Sequence, residues 1–597
     1  MKKKLHKVTV YIPLVLFMLL ITLSIPSCSH TKKEISNTSE SPQVDSTENK
    51  INTSESPQVD STENKINASI IPTTSIAKTK QEILNTIESL QVNSTENELT
   101  ASINELLRKD STDNNKNQLL VNIKDYGAKG NGVDSDVDAL KKAIGYANGK
   151  GGGSIFFPAT TQAYVIDRVV TISKNINLIG EQTRISRYHN YKVNNGVFNF
   201  LGNNKMEGFI YDGGLTKIPN LGIENEFTNY SDFVALNEGC IFTNNVFLNA
   251  KGSFIGGRGK TIIFGNTFGD YGDHCIYMGG LRRKDGTEDK TEKVIISNNT
   301  FTSLTSTRDA VKFRNSGEMV IVANNTFDLP KGSLFNFSLG DTTNLQGNIK
   351  NISFSFNIIK KCKDVGFIGL NNTPIGSTLG KLNNIKISNN IVDSCTGYLL
   401  IGGSSWSMDT NYNYFSGTNI DISNNTFKTT PQIHLSCKGD GLTVNIANNK
   451  AYGSLRNESL IMMAGNTSLN LINNMFIFDD NTTLIDSPFQ HARNTASTAG
   501  IEATTPQAIT ISGNTISGVR KIFQESSNKN VTYLTDKINF NLVNNTFIKN
   551  GKAVEFGTDS GLTELIKAKL TMSNNSLTQN GKITSIYIGN YPKQFIY

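Results

Sequence analysis

Val294-Ile295-Ile296-Ser297-Asn298-Asn299-Thr300-Phe301 holds in one short stretch the pattern that decides the fold: an apolar strand, two Asn, then an apolar residue two positions on. The pattern returns as Asn244-Asn245-Val246-Phe247, Gly265-Asn266-Thr267-Phe268, Asn324-Asn325-Thr326-Phe327 and Asn424-Asn425-Thr426-Phe427. It continues at Asn389-Asn390, Asn448-Asn449, Asn473-Asn474, Gly513-Asn514, Asn544-Asn545-Thr546-Phe547 and Asn574-Asn575. With Asn357 counted as a weaker copy, the second Asn falls at spacings of 21, 33, 26, 32, 33, 35, 24, 25, 40, 31 and 30 residues. That is the period of a solenoid whose loops differ in length. Asn tolerates the left-handed backbone of a sharp turn between strands, and its amide can pair with the Asn one coil above. The apolar residues flanking each turn then point into a core that is continuous along the stack. The twelve marked coils, at about 4.8 Å each, make a rod of roughly 58 Å.

Upstream of the array, Val121-Asn122-Ile123-Lys124-Asp125-Tyr126-Gly127-Ala128-Lys129-Gly130-Asn131-Gly132 reads as a short strand and a Gly-rich turn. Asp134, Ser135 and Asp136 are positioned to cap a helix, in which Ala139, Leu140, Ala143, Ile144 and Ala147 recur at helical spacing until Gly149 to Gly153 stop it. Three short strands follow, at Ser154-Ile155-Phe156-Phe157-Pro158, Tyr164-Val165-Ile166 and Ile176-Asn177-Leu178-Ile179-Gly180. This text resembles the N-terminal module of the pectate-lyase-like family, which includes rhamnogalacturonase-type and epimerase-type enzymes and phage tailspikes. The resemblance covers about residues 121 to 180. It implies an all-β fold, a single-stranded right-handed parallel β-helix (pectin-lyase-like) opened by a short capping helix. That module heads several enzyme classes and some non-enzymes, so it does not fix a function.

Composition agrees with a mostly soluble protein rich in turns: hydrophobic residues make up 37%, charged residues 18%, and the mean hydropathy is -0.28. Of the net charge of +7, residues 1 to 30 contribute four Lys and no acid, and residues 31 to 120 carry nine basic against fourteen acidic groups. The remaining 45 basic and 37 acidic residues are spread over 121 to 597. So thin an excess, without an aromatic-interleaved basic stripe or a Gly-rich phosphate cradle, argues against nucleic acid as a partner. Lys2 to Lys7 precede an apolar run from Val8 to Ile25 that ends at Ile25-Pro26-Ser27-Cys28. This order reads as an export signal, with an uncleaved anchor helix as the alternative. Cys28 resembles the lipidated Cys of a bacterial lipobox, which predicts export and a lipid anchor at the cell envelope, outer membrane or surface. Residues 37 to 51 are repeated letter for letter at 52 to 66 and loosely at 85 to 99. Segments this polar cannot bury enough surface to order themselves. The predicted organisation is thus a signal and lipobox at 1–28, a disordered linker at 29–120 and the β-helix at 121–597. Cys240, Cys275, Cys362, Cys395 and Cys437 form no CxxC pair and read as buried thiols in the apolar stack.

With the Asn as a ruler, Asp273-His274-Cys275-Ile276-Tyr277-Met278 falls beside Arg308-Asp309-Ala310-Val311-Lys312-Phe313 of the next coil. Ile276 with Val311, and Met278 with Phe313, then face inward, while Tyr277, Lys312 and Arg314 share the outer face. Asp273, His274, Arg308 and Asp309 cluster where the strands begin. Arg258 and Lys260 come from the coil before, and the insertion from Gly279 to Lys293 adds Arg282, Arg283 and Lys284. Such a face suits a polysaccharide. In a uronate lyase, Lys312, Arg308 and Arg314 would bind or act as base beside a His274 or Tyr277 proton relay. In a glycosidase, Asp273 and Asp309 would flank the scissile bond. The plain alternative is an ordinary coil edge with solvated charges. A non-catalytic glycan binder would rely instead on aromatic platforms such as Trp406 with Tyr412 and Tyr414. The polygalacturonase-type NTD, GHG and RIK set, the pectate-lyase RxPxxR and the epimerase DPHD are absent, so the sequence assigns no specific glycan. No cofactor is required by the sequence, and no residue set in it supports Ca2+ or another metal.

Overall fold

A computed structural model of the chain describes residues 119–187, 196–214, 231–279, 293–314, 319–339, 348–370, 380–403, 415–453, 459–486, 507–524, 538–549, 555–557, 570–579, 582–583, 586–588 and 591–593. The export signal with Cys28 and the repeat linker up to residue 118 lie outside them. So do Trp406, Tyr412, Tyr414 and the insertion residues Arg282, Arg283 and Lys284.

The first strand, Leu120–Asn122, runs into a single 3-10 turn, Ile123–Tyr126, closed by Gly127 at φ 93°. The predicted helix spans Val137–Gly149 and buries Val137, Leu140, Ala143, Ile144 and Ala147 against the first coil. Its start meets the expectation in part: Ser135 Oγ accepts from Val137 N at 3.4 Å. Asp136 occupies the cap position but makes no side-chain cap hydrogen bond. Its buried carboxylate accepts instead from the backbone N–H of Lys129 (2.6 Å), Gly130 and Val165 (2.9 Å), pinning the Gly-rich turn to the strand Tyr164–Val165. Three acceptor duties at a buried carboxylate, one of them to the distant Val165, outweigh a local cap.

From there the chain winds as a right-handed parallel β-helix. Three columns of strands stack along it. One holds Cys240–Thr243, Thr261–Phe264, Val294–Ser297 and Val320–Ala323, paired in continuous parallel register. After the Asn turn the second column holds Val246–Leu248, Thr267–Phe268 and Thr300–Thr302. The third holds Ser253–Gly257, Ile276–Gly279, Asp309–Arg314 and the second half of Thr326–Leu339. Only near the C-terminal end do described strands pair antiparallel, Ser576–Gln579 with Lys582–Ile583 and Ile586–Ile588 with Tyr591–Lys593.

The two Asn of each turn divide the work. The first takes the left-handed backbone, with φ between 52° and 57° at Asn244, Asn298, Asn324, Asn389, Asn424, Asn448, Asn473, Asn544 and Asn574; Gly265 and Gly513 fill the same position. At the weaker copy the position is held by Phe356, also at φ 56°. The second Asn is buried and builds a ladder: Asn245, Asn266, Asn299, Asn325 and Asn357 each donate through Nδ2 to the Oδ1 of the next, at 3.0 to 3.1 Å. The same Nδ2 bonds a strand carbonyl, such as Ile263 O for Asn299 (2.9 Å), so neither amide hydrogen is wasted. Inside the coils Phe247, Phe268, Phe301 and Phe327 stack with ring centroids 5.1, 5.0 and 4.7 Å apart. This column, the inward Ile and Val of the strands, and the helix belong to one continuous core.

Candidate functional site

The strand pair Ile276–Gly279 and Asp309–Arg314 falls in the register that the Asn ruler gives: Ile276 opposite Val311, Tyr277 opposite Lys312, Met278 opposite Phe313 and Gly279 opposite Arg314. Ile276, Met278, Val311 and Phe313 are buried in the core. Strand alternation sends Tyr277, Lys312 and Arg314 to the other face, where Arg314 Nη1 donates to Tyr277 Oη at 3.1 Å. Lys312 is largely buried, and its Nζ donates to Asn336 Oδ1 at 2.8 Å, one coil further on.

Where these strands begin, His274 lies between two carboxyl groups. Its Nε2 is 3.5 Å from Asp273 Oδ1 and its Nδ1 is 3.4 Å from Asp309 Oδ2, while its ring sits 5.4 Å from that of Tyr277. The Nδ1 contact is not aligned as a hydrogen bond to that carboxyl. Burial raises the Asp309 carboxyl to about 6, against the opposing pull of Lys312 and a hydrogen bond from Asn336. Burial likewise raises Asp273 to about 6, assisted by the charge of Asp309 and opposed by Arg308. His274 is lowered to about 3, first by burial and then by Lys312 and Arg308. The ring is therefore neutral, with one N–H and one bare nitrogen, yet both nitrogens face carboxyl oxygens. Two carboxyls raised to about 6 on either side of a neutral ring titrate as one coupled group. Arg308 is exposed beside them, its backbone fixed by Ser306 Oγ, which accepts from Arg308 N, and by Tyr271 Oη, which donates to Arg308 O at 3.5 Å.

Arg258 is on the preceding coil at the far end of its strand, where its Nε donates to Leu236 O at 3.3 Å, and Lys260 pairs with Glu238 at 3.4 Å. They belong to the exit edge of the face rather than to the carboxyl pair. The structure extends the face in the other direction, through residues the sequence did not single out. Asp309 is in register with Ser333, and Ser333 with Asp364. The buried Asp364 carboxylate accepts from Tyr398 N (3.2 Å) and contacts Ser333 Oγ (3.4 Å). Tyr398, 38% exposed, stacks on His434 with ring centroids 5.1 Å apart, and burial followed by the charges of Asp364 and Asp309 raises its phenol. Among the described residues no group of three or more His, Cys, Asp or Glu side chains is placed to hold a metal ion.

Residues 120–336 match the family described as rhamnogalacturonase A/epimerase, pectate lyase-like. This stretch is thus a pectate-lyase-like module, and it contains every residue of the His274 cluster. A protein named plasmin and fibronectin-binding protein A, from Streptococcus pneumoniae, is 30% identical over 172 residues, covering 27% of this chain and 22% of that protein. The match therefore spans under a quarter of that relative's length. Among solved structures, the N-terminal fragment of bacteriophage phi29 gene product 12 matches at 15% identity and a TM-score of 0.46, over 83% of this chain and 76% of that one. A mannuronan C-5 epimerase A-module from Azotobacter vinelandii matches at 13% and 0.33, over 77% and 99%. An exopolygalacturonase from Thermotoga maritima matches at 12% and 0.31, over 87% and 97%.

Proposed function

We propose that the protein hydrolyses an acidic polysaccharide on the outer face of its third strand column, held at the bacterial envelope by a lipid on Cys28. The observation that carries this reading is the neutral His274 bracketed by Asp273 and Asp309, both raised to about 6, next to the cations Arg308 and Lys312. Glycoside hydrolysis needs one carboxylic acid and one carboxylate within about 9.5 Å of each other, and a single imidazole ring separates this pair. Asp309, favoured as the anion by Lys312 and the Asn336 amide, is the base or nucleophile. Asp273 is then the acid that gives its proton to the leaving oxygen. His274 holds the proton inventory of the pair and fixes both carboxyls in place. Arg308 binds an acidic sugar from solvent. Lys312 already serves as a donor to Asn336, which suits it to binding rather than to taking up a proton. That disfavours the lyase arrangement, in which it would be the base.

The test is a panel of acidic and neutral glycans followed for both new reducing ends and unsaturated ends. Reducing ends without ultraviolet absorbance, lost in Asp273→Asn and Asp309→Asn, support hydrolysis; unsaturated ends lost in Lys312→Ala overturn it in favour of elimination. A non-catalytic adhesin is the second reading, favoured by the name of the Streptococcus pneumoniae relative. It predicts binding to a host protein or glycan that is unchanged in Asp309→Asn and accompanied by no product. The anchor is tested separately: Cys28→Ala should release the chain from the membrane fraction, and full retention would assign the anchor to the apolar run.

A further inference from the structure

The Asn ruler aligns two sulfurs as well as the strands. Cys362 stands five residues after Asn357 and Cys395 five residues after Asn390. The fold stacks them on neighbouring coils, joined as an isolated parallel β-bridge. Backbone hydrogen bonds hold the register on both sides, Cys362 N to Ser394 O at 2.9 Å and Thr396 N to Cys362 O at 3.2 Å. Both residues are 2% exposed. Both are free thiols in the structure, and Cys395 Sγ donates to Lys363 O at 3.4 Å. Neighbouring strands about 4.8 Å apart fall inside the Cα separation of about 4.4 to 6.8 Å that a disulfide spans. Cys240, by contrast, stacks on Thr261.

We propose that Cys362 and Cys395 form a disulfide that staples two successive coils as the chain folds in the presence of a small-molecule disulfide such as glutathione disulfide. Each thiol gives up a proton and the pair gives up two electrons; one S–S bond forms between the coils, the S–S bond of the oxidant breaks, and it leaves as two thiols. Burial raises the Cys362 thiol well above its usual range, so the exchange belongs to folding, before the coil closes over the sulfurs. The bond would tie the coil that bears Asp364 to the coil that bears Tyr398, whose N–H Asp364 accepts. It therefore fixes the far end of the face on which the carboxyl pair sits, while adding no reacting group.

The experiment uses the full chain, denatured and reduced, then refolded with and without glutathione disulfide. Both samples are denatured in iodoacetamide without reductant and peptide-mapped. The expected result in the oxidised sample is one linked pair of peptides containing Cys362 and Cys395, lighter by about 2 Da than their free sum, with Cys240 and Cys275 alkylated. Alkylated Cys362 and Cys395, glutathione adducts at either, or links to Cys240 or Cys275 overturn the proposal. As a second readout, oxidised wild type should unfold at higher urea than reduced wild type, whereas Cys395→Ser should unfold at the same urea after either refolding. A wild-type protein with no difference between the two samples also overturns it. Both readouts are independent of glycan activity, so failure here leaves the hydrolase reading standing.

Discussion

Replacing Asp309 with Asn should make the protein more stable at neutral pH while removing the proposed hydrolysis, and the sign of the stability change follows from the direction of its pKa. The carboxyl is raised by burial from 3.8 to about 6, so the folded chain binds this proton more tightly than the unfolded chain does. Stability then falls as pH rises between those two values and is flat above them, because the folded state must carry a charge it solvates poorly. At about 1.4 kcal/mol per pKa unit, the penalty above pH 6 approaches 3 kcal/mol. Asn keeps the size of the side chain and cannot ionise, so its advantage is near zero at about pH 4 and grows to at most about 3 kcal/mol at about pH 8, the pull of Lys312 being already contained in the raised value. Urea unfolding of both proteins, followed by circular dichroism across that range, measures the difference directly. A variant less stable than its parent at about pH 8, or one whose advantage does not change with pH, would show that burial does not disfavour the charged form of Asp309, and the raised carboxyl used in the hydrolytic reading would be refuted.

Three further outcomes are expected. Asn299→Ala deletes the acceptor of Asn266 N–H and the donor to Ile263 O, leaving buried backbone groups unmet, and should cost about 3 to 5 kcal/mol by chemical denaturation, whereas Asn298→Gly should be within about 0.5 kcal/mol of wild type. Phe356→Asn should gain about 1 kcal/mol, because Phe is held at φ 56° where the other turns use Asn or Gly; a loss of stability would mean that its ring packing outweighs the backbone strain. Arg308→Ala should raise KM for acidic glycans by about tenfold or more at low salt and leave kcat and any neutral substrate unchanged; an effect that persists at high salt would contradict a role in charge recognition.

The parts of this molecule that repeat were legible in its sequence. Ile276 lies opposite Val311 and Met278 opposite Phe313 because the turn Asn set a common origin for adjacent coils, and strand alternation did the rest. Asn336, Asp364 and Tyr398 were not legible as partners of Asp309. They lie one to three coils away, across connections whose lengths vary independently, so their side chains converge only in three dimensions. The division of labour within each Asn pair was also hidden. Conformational tolerance and ladder formation both favour Asn, and only the φ values and amide partners separate them. Asp136 reads locally as a helix cap, since nothing nearby in the chain announces that Val165 N–H will claim its carboxylate. The Cys362 and Cys395 pair was within reach, as both follow their Asn by the same count, but wide spacing in the chain masked a separation of a single coil.

A stack of parallel strands has a hazard at each end, where a row of open N–H and C=O groups is a template for any other extended chain. The helix Val137–Gly149 covers the core at one end with Leu140, Ala143 and Ile144, replacing a β-edge by a surface that cannot continue the ladder. At the other, the reversal of direction in Ser576–Gln579 with Lys582–Ile583, and in Ile586–Ile588 with Tyr591–Lys593, interrupts the parallel pattern that an incoming coil would have to extend. The same hydrogen-bond geometry that lets coils be added one upon another would otherwise let whole molecules join end to end into fibres. Among the described residues, the helix at one end and the reversed strands near the other both work against such end-to-end growth.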